Sequence, residues 1–338
     1  MQRLVLAALT LLVVTAACAQ EAFLAVRVQA PSGVSAPVLP VVASVPLGDA
    51  RRAWGVEPGS GLIGAAERLG DQVRAVPAQL DIVGSQAQIA LLLPSQPAGE
   101  RTIRLAPVKP PTTPTEATLQ VTRDGQAVTI TNATYAITHD PAKNGGLPSR
   151  IVFPQTGKVF DSFQLNDRLH SKQPGMGGFR LGDDKAPQVT VTAAGPLYAE
   201  VRVKARYLQG AKEPPGKARA VYTYSYFAGL PNIRLTASIA QDETFDWNEL
   251  HCFELFFKDD SFTHYVSDTE PLAPFKDEAK SHGGVQWGAL VDGKSAIALL
   301  GFPRIYDGKN DYGRYLHGPW VGWNRSTEAF VLDLWIGA

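Results

Sequence analysis

Between residues 199 and 207, Ala199, Val201, Val203, Ala205 and Tyr207 alternate with Glu200, Arg202, Lys204 and Arg206. Strict alternation of this kind turns one face of an extended strand to a core and the other to water. The runs 219–227 and 232–240 flank Ala228-Gly229-Leu230-Pro231, a hairpin connection, and 287–291 and 296–302 flank Asp292-Gly293-Lys294-Ser295. Asp124-Gly125 before Val128-Thr129-Ile130 is another hairpin signal. Long strands, short turns and little helical periodicity predict an all-β chain, with a large antiparallel β-sandwich over 119–338. Earlier, apolar runs at 38–45 and 89–93 are punctuated by turn residues, and 61–69 predicts a helical turn or two. Residues 21–106 therefore read as a small β-barrel or sandwich domain. Between the two lies 107–118, PVKPPTTPTEAT, which predicts a semi-rigid extended linker. No repeat of solenoid or propeller length is visible.

The amino terminus follows another plan. Met1-Gln2-Arg3 precedes an apolar run to Val14, and small residues follow to Ala19. This is the layout of a secretory signal peptide over 1–19, too short for a membrane span, with cleavage after Ala19. Thr15-Ala16-Ala17-Cys18 is also a weak lipoprotein box, and lipidation of Cys18 is the alternative. In either case export to the periplasm or the extracellular space is expected, with no membrane span. The last strand signal, 330–336, is followed by only two residues, a pattern that fits a natural terminus and also a chain cut from a longer protein.

Composition narrows the function classes. Lys plus Arg and Asp plus Glu are both 32 in 338 residues, a balance that argues against nucleic acid as a partner. Two Cys exclude a disulfide framework, and Cys252 reads as a buried small hydrophobe. There is no phosphate loop, dinucleotide fingerprint or G-x-S-x-G elbow, so no cofactor is expected; no H-E-x-x-H spacing supports a metal.

Five of six Trp and five of six His lie beyond residue 165, which directs attention to the second domain. In Trp247-Asn248-Glu249-Leu250-His251, read as a strand, Trp247, Glu249 and His251 share a face. A ring, a carboxylate and an imidazole there suit a sugar site, with a buried structural pair as the competing reading. On the same pattern Glu249 and Glu254 fall on opposite faces, which argues against a paired-carboxylate glycosidase. Asn166-Asp167-Arg168-Leu169-His170 offers an amide and a guanidinium fork for a uronate carboxylate; an ordinary polar turn is the alternative. The Gly-rich stretch 306–323 carries Tyr306, Tyr312, Tyr315, His317 and Trp320, and binding residues concentrate on such loops. His264 and His282 are weaker candidates.

Val76-Pro77-Ala78-Gln79, Gly195-Pro196-Leu197 and Tyr226-Phe227-Ala228-Gly229-Leu230-Pro231 together resemble secreted exo-rhamnogalacturonan-lyase-like proteins. The resemblance implies a small β-barrel before a sandwich of the galactose-mutarotase or polysaccharide-lyase type, and a plant or algal polysaccharide as substrate class. It carries over no catalytic residue.

Two functions follow as expectations. One is an exported polysaccharide lyase cleaving a uronate-containing, pectin-like polysaccharide by β-elimination. His251 or Tyr315 would act as base or acid, and Asn166 and Arg168 would neutralise the carboxylate. Trp247, Glu249, Tyr312, His317 and Trp320 would complete the substrate site. The other is a non-catalytic glycan-binding or scaffold portion of a larger carbohydrate-active enzyme.

Overall fold

The computed structural model describes residues 11–16, 23–30, 38–69, 71–94, 99–107, 119–161, 164–257, 262–310 and 313–337. Cys18, Tyr312 and nearly all of the 107–118 segment lie outside the described residues. The chain divides into two compact units, Met1–Leu119 with Thr192–Ala199, and Gln120–Val191 with Glu200–Ala338.

The first unit is a sandwich and not a barrel. One sheet runs in the order Leu11–Ala16, Phe23–Ala30, Gly99–Ala106, Gly64–Leu69, Gln72–Ala75. The other runs Val38–Pro46, Gln86–Pro94, Ala78–Val83, Gly61–Leu62. Alternate residues of both, including Leu24, Val26, Val41, Val45, Ile89 and Leu105, form one core.

The helical turn expected at 61–69 is absent. Those residues are strands, and the helix is instead Leu47–Trp54, closed by Gly55 in the left-handed conformation. Ala65-Ala66-Glu67-Arg68 has helical propensity, but the sheet gives Glu67 a buried partner. Its carboxylate takes two bonds from Arg101, at 2.6 and 2.7 Å, and one from Arg74 at 2.8 Å. Tertiary context overrides local preference here.

Two of the motifs behind the family resemblance meet inside this unit through one side chain. Gln79 is fully buried. Its Oε1 accepts the N–H groups of Leu197 at 2.9 Å and Tyr198 at 3.1 Å. Its Nε2 donates to the Tyr198 carbonyl at 2.9 Å and to Asp81 at 2.6 Å. A Cβ at Gly195 would stand 2.3 Å from the Gln79 amide carbon, so only glycine admits the amide. Gln79→Ala strands several buried polar groups, each costing about 1–3 kcal/mol. A loss of about 3 kcal/mol or more is expected in urea denaturation; a loss below about 1 kcal/mol would show that water replaces the amide.

In the second unit a five-stranded sheet follows chain order from Gln120–Asp124 to Lys158–Phe160, its first turn made by Gly125 at φ 57°. A nine-stranded sheet holds the alternating segments read from the sequence, among them Tyr198–Arg206, Arg219–Phe227 and Asn232–Ala240. Thr327–Gly337 lies in its middle, between Asn232–Ala240 and Ala296–Leu300. Tyr222, Tyr224 and Tyr226 point inward from Arg219–Phe227 and are buried. The all-β sandwich class read from the alternation is the one the chain adopts.

His139 is sealed in the core of this unit. Its ring nitrogens lie 3.1 Å from the Gly146 carbonyl and 2.6 Å from the Tyr226 hydroxyl. Burial pulls its pKa from 6.5 down to about 4, against the Gly146 bond that favours the cation. The folded state therefore prefers the neutral ring, and stability falls as pH drops below the unfolded value, levelling off only below the folded one. From pH 7 to pH 5 this group removes about 2 kcal/mol. The fall in stability between pH 7 and pH 5, followed by urea denaturation, should be smaller in His139→Gln by that amount; parallel curves would show that His139 has the same pKa folded and unfolded.

Candidate functional site

Two smaller sheets of the second unit carry the candidate site. The first runs Gly177–Arg180, Arg168–Ser171, Trp247–His251, Trp320–Trp323. Its register places Arg180, Arg168, His251 and Trp320 in one cross-strand row. The second runs Gln164–Leu165, Glu254–Phe257, Gly313–His317, Arg304–Asn310, Lys280–Gly283. Glu254, His317 and Tyr306 form a row there, and Tyr315, two residues from His317, shares their face.

The chain crosses between these sheets at Cys252-Phe253. Phe253 has φ 56°, a conformation that residues other than glycine rarely adopt. Asp167 holds it there: Oδ2 accepts the Phe253 N–H and Oδ1 the Glu254 N–H, each at 2.9 Å, and the Tyr222 hydroxyl also donates to Oδ2. In an unbroken strand, residues 251 and 254 would face opposite ways. The left-handed turn instead sets His251 Nδ1 3.2 Å from Glu254 Oε2. His251 Nε2 lies 3.2 Å from Glu249 Oε2 on its other side. The opposite-face placement of Glu249 and Glu254 is thereby corrected, because both carboxylates flank one imidazole.

Further groups surround this core. Asn166 Nδ2 donates to Glu254 Oε2 at 3.0 Å, and its Oδ1 accepts from Arg180 Nε at 2.8 Å. Arg168 lies 3.6 Å from Glu249, and its buried Nε–H has no hydrogen-bond partner among the described residues. Trp320 is 43% exposed, its ring centroid 4.8 Å from His251 and 5.4 Å from Tyr306. Tyr306 stacks on His317 at 4.6 Å, and Tyr315 is 5.7 Å from the same ring.

Burial, helped by Arg168 and opposed by Glu249, takes the His251 pKa down to about 3. Burial takes His317 to about 4, with Glu254 opposing, and the same desolvation raises the Glu254 carboxyl above its usual range. Both imidazoles are therefore neutral at pH 7. His251, Glu254 and His317 each offer one donor atom, all within 4.8 Å of one another, and could hold a metal ion.

Of the residues singled out in the sequence, Asn166, Arg168, Glu249, His251, Tyr315, His317 and Trp320 converge. Trp247 does not join them. It is fully buried, edge-on to Phe179 at 5.7 Å, with Nε1 bonded to Gln241 at 3.2 Å. The cause is a bulge: Trp247 pairs with Trp323 but Leu250 with Val321, three residues against two, which shifts the face parity. Cys252 is buried, 3.0 Å from the Tyr222 hydroxyl, and burial pushes its thiol well up. His282 sits apart, between Glu270 and Asp307. A shallow depression lined by Arg206, Glu213, Lys217, Arg219 and Asp242 shares no residue with the site, and Arg206–Glu213 and Arg219–Asp242 pair there. Sequence reasoning set Glu254 aside on strand parity and did not foresee Arg180 in the row; only the Gly-rich turn before Gly177 hints that Arg180 returns beside Arg168.

No family model and no curated relative matches the chain. Among solved structures it is similar to a protein of glycosyl hydrolase family 38 from Enterococcus faecalis, at 11% identity and a TM-score of 0.57, over 94% of this chain and 45% of that one. It is also similar to an alpha-mannosidase from Enterococcus faecalis V583, at 10% identity and a TM-score of 0.52, over 88% and 41%. A galactose 1-epimerase from Lactobacillus acidophilus matches 65% of this chain and 98% of its own, at 10% identity and a TM-score of 0.40. The chain spans less than half the length of the first two neighbours, and with them it shares a fold. None of the three is named as a rhamnogalacturonan lyase, so that resemblance stays with the sequence motifs.

Proposed function

We propose that this chain is a glycan-binding β-sandwich portion of an exported carbohydrate-active protein, and that the Arg168–His251–Trp320 row takes an acidic sugar of a uronate-containing polysaccharide. One observation carries the reading: an exposed indole lies in the same cross-strand row as a guanidinium whose buried Nε–H has no partner among the described residues. A pyranose stacks its C–H face on a ring while a carboxylate takes a charge-assisted bond, and Trp320 with Arg168 offers both. The alpha-mannosidase and the glycosyl hydrolase family 38 protein share the fold, and their greater length fits a portion of a larger enzyme. Export is supported by the signal-like pattern of residues 1–19.

Binding is favoured over β-elimination because His251 is 1% exposed and both its nitrogens face carboxylates, so no nitrogen is free to meet a substrate proton. Calorimetric titration of the full chain with oligogalacturonides and with a neutral glucan oligomer tests the reading. Heat with the acidic ligand alone, without the absorbance of an unsaturated uronate, is expected. Growing absorbance would replace it with the lyase reading, in which Tyr315 has the reactive hydroxyl. Absence of binding to any acidic glycan would end it.

A further inference from the structure

The two ring nitrogens of His251 each lie 3.2 Å from a carboxylate oxygen, Nε2 from Glu249 and Nδ1 from Glu254. The His317 ring stacks on the same imidazole at 5.3 Å. Nε2, although close to Glu249, makes no well-aligned hydrogen bond and is buried. Two imidazoles and a carboxylate thus converge in the interior with their donor atoms within 4.8 Å of one another.

We propose that His251, Glu254 and His317 bind a zinc-type divalent cation. The 3.2 Å separation of His251 Nδ1 from Glu254 Oε2 is already the edge of a tetrahedron with metal–ligand arms of about 2.0–2.1 Å, which is about 3.3 Å. The third donor lies within 4.8 Å of the other two, so small side-chain rotations close the set. The groups behind the donors are those that metal-binding histidines use. His317 Nδ1 faces the Gly318 carbonyl at 3.2 Å, which fixes the tautomer with the Nε2 lone pair outward. With a cation at His251 Nδ1, the ring proton stands on Nε2, 3.2 Å from the Glu249 carboxylate. Asn166 steadies Glu254, and Arg180 steadies Asn166.

Two imidazoles and one carboxylate select a borderline transition metal over calcium or magnesium, which take oxygen shells. Three protein ligands leave a coordination position for water or a ligand oxygen. Because His251 lies on one small sheet and Glu254 and His317 on the other, the ion would also tie the two together. The inference is independent of glycan binding.

The test uses untagged full chain, stripped with chelator and re-equilibrated with zinc, then gel filtered. One zinc per chain is expected, with a rise in Tm that chelator reverses. Cobalt should give the visible bands of a tetrahedral site. His317→Ala and Glu254→Gln should each abolish retention, while His264→Ala keeps it. Wild-type chain that retains neither metal overturns the proposal whatever the variants do. Retention unchanged in Glu254→Gln, which is nearly isosteric and spares the fold, overturns the ligand assignment.

Discussion

Asp167→Ala is expected to cost about 3–5 kcal/mol of the stability of the second unit, and to disorganise the site without touching any ligand. The carboxylate is fully buried and accepts two backbone N–H groups and the Tyr222 hydroxyl. Burial raises the Asp167 pKa to about 7, so its bonds are not those of a fully ionised acceptor; the cost comes from stranding the buried donors, about 1–3 kcal/mol each. Those donors include the N–H of Phe253, whose left-handed backbone itself costs about 1–3 kcal/mol and has to be held by its surroundings. Without Asp167, the cheapest relief is for Phe253 to return to an extended conformation, which would swing Glu254 to the other face. Asp167→Asn should retain part of the stability, because its carbonyl accepts one N–H while its amide opposes the other. Urea denaturation measures the loss, and zinc retention at a temperature where the variant is still folded measures the displacement of Glu254. A loss under about 1 kcal/mol, with zinc retained, would show that the turn is set by packing of the Phe253 ring against Tyr222, 5.3 Å away.

Much of the fold was legible because it rests on period-two alternation and glycine turns. The alternation at 199–207 and the turns at Gly125 and Gly229, both at positive φ, sit where the structure has strands and hairpins. The site was legible wherever neighbours in space were neighbours along an unbroken strand, as with Glu249 and His251, or lay in the loop-rich stretch that holds Tyr315, His317 and Trp320. It was not legible where the backbone departs from the regular pattern. The bulge between Trp247 and Leu250 sends Trp247 into the core, and the left-handed Phe253 brings Glu254 round. Neither departure has a local sequence mark: no glycine stands at 253, and the residue that stabilises the turn, Asp167, is 86 positions away. The strand at 64–69 is a similar case, since the partner of Glu67 is Arg101, 34 positions on.

Arg168→Ala should weaken binding of an acidic oligosaccharide by one to two decades while leaving a neutral glucan nearly unaffected. The basis is the loss of a charge-assisted bond, about 1.5–3 kcal/mol, which converts to that range of affinity. Arg168→Lys should recover only part, because an ammonium cannot present two parallel N–H donors to a carboxylate. Glu249 already lies 3.6 Å from Arg168 and competes for it, so Glu249→Gln should tighten acidic-ligand binding. Trp320→Ala should weaken acidic and neutral sugars alike, since stacking reads the C–H face and not the charge. Its ring is 43% exposed, so the substitution should spare the fold. The discriminating comparison is therefore between ligands and not between variants: a ratio of acidic to neutral affinity that falls in Arg168→Ala and holds in Trp320→Ala. If both variants lower the two affinities equally, Arg168 acts by supporting the sheet through Glu249, and the anion fork must be sought at Arg180.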